Sequence, residues 1–380
     1  MAKNMRVGIT HGDYNGVGYE VIVKALDDEK ITELFTPVVF GLQKFFEKAR
    51  KEFATEMPGV EYIKNVSQIK EGKINVVELP GGDLPLSPGE PTKESGSSAV
   101  EALELAVEAI RDGAIDVLVT APICKTAVQG ERFHFPGHTE YLEAKSNGEG
   151  ETISEDKGNQ PAEASPFRSQ MILFDDYLRV ALVTTHLPVS DISSAISKEK
   201  VLDSVERLDK VLRSDFGCER PKIAVLSLNP HCGDNGLLGK EEGEKIIPAI
   251  EEAEQKGLLV FGPYAADGFF ATGAYRNFDG VLAMYHDQGL APFKALAGEH
   301  GVNFTAGLPF VRTSPDHGTA FDIAWKGEAD PTSMREAIYK AIDLRRNRER
   351  YLRASHNPLR KARMEKGGQD KTVDLTKETL

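Results

Sequence analysis

Three of the nine histidines close apolar runs: His186 after Leu182-Val183-Thr184-Thr185, His231 after Val225-Leu226-Ser227-Leu228-Asn229-Pro230, and His286 after Val281-Leu282-Ala283-Met284-Tyr285. Such runs read as buried strands, and in an open α/β sheet the carboxyl ends of strands form the ligand crevice. Three neutral imidazoles converging there could hold a divalent cation and leave a coordination position open for substrate, as in catalytic zinc sites. Taken singly, each is more readily a satisfied buried histidine; the shared context brings the metal reading level with that one. Cys232, beside His231, is a weaker alternative ligand. In Phe135-Pro136-Gly137-His138-Thr139-Glu140, the His138 ring and Thr139 hydroxyl could grip a polar substrate group, or Thr139 could cap a helix. Lys294, Asn303 and Arg312 follow on a stretch interleaved with Gly301, Gly307 and Pro309. Arg supplies bidentate geometry and Lys a point charge, which suits phosphate or carboxylate recognition.

That cluster stands against an acidic background. The 380 residues hold 46 Lys and Arg against 59 Asp and Glu, a formal charge of -13. A field of this sign repels phosphate backbones and anionic lipid, which argues against nucleic-acid or membrane-surface binding. With 40% hydrophobic and 28% charged residues the chain can bury a large core, and its length suits two or three domains. Cys124, Cys218 and Cys232 form no Cys-x-x-Cys pair, so a reducing cytoplasm is expected rather than a disulfide framework. The N-terminus lacks the apolar core of a signal peptide, and no stretch is long enough to cross a bilayer. Neither a Gly-x-Ser-x-Gly elbow nor a His-Glu-x-x-His pair is present, which leaves serine-hydrolase and zincin chemistry without support.

The elements that must position these residues alternate. Strands are expected at 7–10, 37–40, 74–77, 117–119, 171–174, 180–183 and 223–226. Helices are expected at 17–26, 43–53, 97–113, 198–213, 240–256 and 332–353. This order argues for a mostly parallel sheet covered on both faces. Between the first strand and helix, His11-Gly12-Asp13-Tyr14-Asn15-Gly16-Val17-Gly18 could present backbone N–H groups to a phosphate. It matches neither a P-loop nor Gly-x-Gly-x-x-Gly, so a tight strand-to-helix turn explains it equally well. Residues 145–165 are nearly all Gly, Ser, Asn, Glu, Lys and Pro and read as an exposed, mobile insertion.

Several segments together resemble the 4-hydroxythreonine-4-phosphate dehydrogenase (PdxA) family. They are Thr120-Ala121-Pro122-Ile123-x-Lys125, Gly137-His138-Thr139-Glu140, Thr184-Thr185-His186-Leu187-Pro188, Leu228-Asn229-Pro230-His231, Ala283-Met284-Tyr285-His286-Asp287-Gln288-Gly289-Leu290, Gly301-Val302-Asn303 and Gly307-Leu308-Pro309-Phe310-x-Arg312-Thr313-Ser314. The resemblance implies an α/β fold like that of isocitrate and isopropylmalate dehydrogenases, with two α/β domains flanking a cleft and a homodimer with shared active sites. In that arrangement residues 1–122 plus about 290–355 form a discontinuous cofactor-side domain. Residues 123–289 form the metal, substrate and dimerisation domain with the insertion at 145–165, and 356–380 a polar tail. The implied activity is NAD(P)-linked oxidation of 4-phosphooxy-L-threonine, followed by decarboxylation to 3-amino-2-oxopropyl phosphate in pyridoxal phosphate biosynthesis.

Carried over by position, His186, His231 and His286 match the family's metal ligands, one of them supplied by the neighbouring subunit. Zinc is the first expectation, with cobalt or magnesium as alternatives. His138, Thr139, Lys294, Asn303 and Arg312 match its substrate contacts. His317, Gly318, Thr319, Ala320 and Asp322 look like the nucleotide-binding loop of the wider decarboxylating dehydrogenase group. His138 and Asp267 are candidate bases on chemical type. The opening loop departs from the family's Thr-Pro-Gly-Asp-Pro-Ala-Gly at His11, Tyr14 and Asn15. Two alternatives follow: a dehydrogenase of another phosphorylated hydroxy acid, such as 4-phosphothreonate or 4-phosphoerythronate, and a non-catalytic phosphometabolite-binding protein.

Overall fold

Apolar tetrads and pentads rich in Val, Ile and Leu build the central sheet of the computed structural model, which describes residues 4–80, 83–148 and 167–357. Its strands are β1 (Arg6–Thr10), β2 (Thr36–Gly41), β3 (Val60–Ile63), β4 (Ile74–Glu78), β5 (Val117–Thr120), β6 (Gln170–Phe174), β7 (Arg179–Leu182), β8 (Lys222–Leu226), β9 (Leu259–Tyr264), β10 (Gly280–Ala283), β11 (Val302–Ala306) and β12 (Arg312–Pro315). They lie side by side in the order β3-β4-β2-β1-β5-β12-β11-β6-β7-β10-β8-β9. The outer pairings on both sides are parallel, as expected of strands joined by helical crossovers.

The centre differs. β11 is antiparallel to both β12 and β6, and β6 is antiparallel to β7. The strands from β7 to β9 therefore run opposite to those from β3 to β5. The carboxyl ends of β5 and β7 point toward opposite edges, so the site is built over a face of the central strands rather than along one edge. Side chains alternate along a strand, and the register pairs Asn303 with Ser314 and Thr305 with Met171. Asn303, Thr305, Arg312 and Ser314 thus share one face. Phe304 and Thr313 face the other way, where Phe304 packs edge-on with Phe174 and Phe216. There the Thr313 hydroxyl donates to the Ala337 carbonyl of the Thr332–His356 helix at 2.7 Å.

The expected helices at 43–53, 198–213 and 332–353 appear as Gln43–Phe53, Lys198–Ser214 and Thr332–His356. The one expected from residue 97 begins a turn earlier, at Lys93, where Thr92 and Ser95 form a reciprocal capping box. The helix expected at 240–256 contains a π-helical turn, Glu242–Ile246, before its regular part. Strands β3, β9, β11 and β12 and the helices His138–Ser146 and His286–Ala297 went unread in the sequence. Of the expected insertion, Lys145 and Ser146 belong to the His138–Ser146 helix, and most of the rest lies outside the described residues. The tail expected at 356–380 lies almost entirely outside them too. Among the described residues no helix is long and apolar enough to cross a membrane.

Candidate functional site

Arg312 forms the floor of a pocket of about 230 Å³ lined also by Asn303, His138, Thr139, His186 and His317. It is 2% exposed. Its Nε donates to Thr120 Oγ1 at 3.1 Å and its Nη1 to Thr305 Oγ1 at 2.8 Å. Among the described residues no carboxylate hydrogen-bonds to it. Burial pulls its pKa down to about 9, opposed by the field of Glu140, so it remains a cation at neutral pH. A buried charge without a counter-ion is costly, which marks this floor as the place for an anion. Asn303 Oδ1 and His317 Nε2 also face the pocket wall buried and without a partner. Buried polar atoms are ordinarily hydrogen-bonded, so these two suit a ligand.

His138 and Thr139 enter on the first turn of the His138–Ser146 helix. The helix cap is Gly137, with no side-chain bond, so Thr139 is not the cap. Its hydroxyl lies 3.4 Å from Thr305 Oγ1 instead. Burial first, then Arg312 and Lys125, hold His138 well below the usual imidazole range, which leaves an unprotonated nitrogen at neutral pH. Lys294 stands apart from this lining. Its Nζ is tied to Asp316, at 2.9 Å from Oδ1 and 2.9 Å from the carbonyl.

The histidines fall into two groups. Thr184 Oγ1 donates to the Met284 carbonyl at 2.7 Å and Val183 N to Ala283 O at 2.9 Å, which locks the ends of β7 and β10 together. His186 and His286, just beyond those ends, have ring centroids 5.9 Å apart. His286 Nδ1 lies 2.7 Å from Asp287 Oδ1. Donating there leaves its Nε2 free as a ligand, the arrangement typical of metal-binding imidazoles. His186 Nδ1 stands 3.9 Å from Glu140 Oε1, and burial and Lys125 lower its pKa, which favours its neutral form.

His231 faces a second pocket, of about 530 Å³, shared with Asp267, Tyr285 and Gln288. It begins six consecutive residues with positive φ, at 51°, 54°, 75°, 44°, 55° and 93°. The Glu242 carboxylate anchors the segment just before this run, accepting from Leu228 N at 2.8 Å, Asn229 N at 2.7 Å and Asn229 Nδ2 at 2.9 Å. Cys232 points its thiol at the Pro263 carbonyl at 3.4 Å. Among the described residues no three His, Cys, Asp or Glu side chains come close enough to hold a metal ion. One chain thus offers two facing imidazoles, His186 and His286, and the fit to a three-histidine site is partial within it.

The N-terminal loop is a turn. Asp13 N donates to Pro122 O, Asn15 N to Asp13 Oδ1, Gly16 N to Asp13 O and Val17 N to Thr319 O, which leaves none of these four for a phosphate. The loop supports the 317–324 segment: a Cβ on Gly16 would lie 2.7 Å from the Thr319 carbonyl. Of the candidate cofactor residues, His317 and Gly318 line the Arg312 pocket. Thr319 is held by Val17, Ala320 has φ +42°, and Asp322 is exposed.

Reading by residue type missed Thr120, Thr305, Lys125, Glu140 and Glu242. The two-residue spacing of Asn303 with Thr305 was the available signal for Thr305. Nothing local in the sequence singles out Glu242, thirteen residues beyond Asn229.

Comparison with known proteins adds the family. The model of the pyridoxal phosphate biosynthetic protein PdxA matches residues 33–341. A 4-hydroxythreonine-4-phosphate dehydrogenase from Bacteroides thetaiotaomicron is 50% identical over 364 residues, covering 96% of this chain and 95% of its own. A relative from Oceanobacillus iheyensis, provisionally named a D-threonate 4-phosphate dehydrogenase, is 40% identical over 90% of this chain and 99% of its own. The crystal structure of 4-hydroxythreonine-4-phosphate dehydrogenase from Klebsiella pneumoniae superposes with a TM-score of 0.73 at 33% identity, over 90% of this chain and all (100%) of that one. With matched segments on both sides of the central antiparallel strands and a site face that carries the shared motifs, the chain belongs to the PdxA family.

Proposed function

We propose that the chain oxidises 4-hydroxythreonine 4-phosphate with NAD or NADP and that the product then loses CO₂ to give 3-amino-2-oxopropyl phosphate, a step of pyridoxal phosphate biosynthesis. The observation that carries this reading is the buried Arg312 guanidinium, unmatched by any carboxylate hydrogen bond among the described residues, beneath His138, Thr139 and Asn303. Arg312 and Asn303 hold the substrate's phosphate, with the Thr139 hydroxyl beside them. This remote binding energy aligns the carbon to be oxidised. The neutral ring of His138 would accept the hydroxyl proton, and a nicotinamide nucleotide bound along His317, Gly318, Thr319, Ala320 and Asp322 would supply the hydride acceptor. The bond to the carboxylate then breaks, and its electron pair passes to the carbon beside the new ketone. Lys294, tied to Asp316, would join the substrate only by leaving that ion pair.

A divalent ion bound at His186 and His286 would supply Lewis acidity at the hydroxyl and the developing ketone. Completing a three-histidine set takes His231 from a second copy, and Asp267, which shares the His231 pocket, would come with it. Val189 and Leu237, 83% and 78% exposed, lie close along the chain to His186 and His231 and would be covered in such a homodimer. Exposed apolar surface beside an incomplete site suits that partner.

The test is turnover of purified protein with NAD⁺ and NADP⁺, with 4-hydroxythreonine 4-phosphate and D-threonate 4-phosphate as rival substrates. Reduction of the nucleotide with the amino acid and CO₂ release support the proposal. Turnover of the threonate alone would move the assignment to the second reading, which the Oceanobacillus iheyensis relative favours.

A further inference from the structure

One cation of the Arg312 pocket has no part in the scheme above. Lys125 lines that pocket, on the loop after β5, and is exposed. The backbone beneath it is fixed: Ala127 N and Val128 N both donate to Cys124 O at 3.1 Å, and Asp13 N holds Pro122 O at 2.8 Å. A Cβ on Gly96, in the Lys93–Arg111 helix, would sit 2.0 Å from the Ala127 carbonyl, so helix and loop are in close contact. The Lys125 side chain thus springs from a rigid base. Among the described residues its ammonium makes no hydrogen bond and no ion pair.

Other cations nearby are engaged. Lys294 is neutralised by Asp316, Arg132 pairs with Glu104, and Arg312 is locked by the Thr120 and Thr305 hydroxyls. Glu140, the carboxylate of the pocket lining, stands 3.9 Å from His186 Nδ1, and among the described residues no ion pair joins it to Lys125. Lys125 lines the same pocket as Arg312, His138 and His186. The pocket therefore presents two separated positive centres, one buried and geometrically fixed, one mobile at the tip of a flexible stem.

We infer that Lys125 is a substrate-binding residue that takes the carboxylate of the phosphorylated hydroxy acid whose phosphate rests on Arg312. This rests on the function proposed above. A substrate with a phosphate at one end of a short carbon chain and a carboxylate at the other matches the two centres. Lys suits the carboxylate because a point charge on a flexible stem can follow a group whose position changes as the carbon two bonds from it is oxidised. The contact also separates substrate from product: the decarboxylated ketone has no anion for Lys125, so it leaves one charge contact weaker than the substrate arrived.

Lys125→Met keeps the stem and removes the charge. A hydrogen bond to a charged group contributes roughly 1.5–3 kcal/mol, so the KM for 4-hydroxythreonine 4-phosphate should rise about 10- to 150-fold. The inhibition constants of 3-amino-2-oxopropyl phosphate and inorganic phosphate should change less than about twofold, and Lys125→Arg should recover most of the loss. Equal weakening of substrate, product and phosphate would place Lys125 on the phosphate and overturn the inference, as would an unchanged KM. A second measurement is independent of turnover. In calorimetric titrations of the full-length protein, Lys125→Met should weaken 3-phosphoglycerate, which carries a carboxylate, and spare glycerol 3-phosphate, which does not. Wild-type protein that oxidises no phosphorylated hydroxy acid defeats the proposed function, whereas loss of that difference between the two ligands defeats the role of Lys125.

Discussion

Replacing Glu242 by alanine should release the His231 loop without unfolding the protein. The buried carboxylate accepts three hydrogen bonds, from Leu228 N, Asn229 N and Asn229 Nδ2 at 2.7–2.9 Å. Bonds to a charged acceptor contribute roughly 1.5–3 kcal/mol each, but three on one group are not additive. Leu228 and Asn229 are only partly buried, so water can replace the lost acceptor. A net loss of about 3 kcal/mol is the reasonable scale. Against it stands the strain of the left-handed run. His231 and Cys232, at φ 51° and 54°, cost roughly 1–2 kcal/mol each. Asp234 and Asn235 tolerate the region better and Gly233 adopts it freely.

Clamp and strain are therefore of equal size. Once the clamp goes, relaxation of the loop toward right-handed geometry recovers most of what was lost, so global stability in urea should fall by only about 1 kcal/mol. The readout is amide exchange. Leu238 N donates to Gly233 O at 2.9 Å and Leu237 N to Asp234 O at 3.2 Å, and both bonds depend on the left-handed geometry. In Glu242→Ala these two amides should lose at least tenfold protection while β8 keeps its own. Unchanged protection at Leu237 and Leu238 would refute the clamp, and equal loss across β8 would show that Glu242 supports the fold rather than the loop.

Arg312→Met should raise the KM for the phosphorylated substrate by 100-fold or more while leaving stability unchanged or higher, since an uncompensated buried cation is removed; a parallel fall in melting temperature would contradict its role as an anion receptor. His11 is wholly buried, and burial depresses its pKa from 6.5 to about 4. Between those values the unfolded chain binds the extra proton, so this group's contribution is complete above pH 6.5, falls as pH drops and is gone below about 4. Urea titrations should show His11→Gln losing roughly 3 kcal/mol less than wild type over that window; identical pH profiles would exclude it.

Much of the fold could be read because burial on both faces writes strands as uninterrupted apolar runs. Val7-Gly8-Ile9, Pro37-Val38-Val39-Phe40 and Ile223-Ala224-Val225-Leu226 are of this kind, and all lie in parallel parts of the sheet. β11 and β12 break the rule because one of their faces is the site. Val302-Asn303-Phe304-Thr305-Ala306 and Arg312-Thr313-Ser314-Pro315 carry polar side chains where a core strand carries apolar ones. The features that made Asn303 and Arg312 look like ligand residues on a Gly-rich stretch are the ones that hid their strands.

The same logic governs the site. Arg312, His138 and Thr139 were legible because their chemistry is unusual in an acidic chain, and the sheet register then brings Thr120 and Thr305 to the guanidinium. The reversal of strand direction across β11 and β6 was not legible, since residue type carries no record of pairing partner. Strand order beyond that reversal decides where the histidines go. His186 and His286 follow adjacent parallel strands, β7 and β10, and so come together. His231 follows β8, on the far side of β10, and its left-handed run turns it into the neighbouring pocket. Four non-glycine residues at positive φ, His231, Cys232, Asp234 and Asn235, are strain that the fold does not need for itself. It becomes intelligible if His231 has to reach outward, beyond its own chain, to finish a site that His186 and His286 only begin.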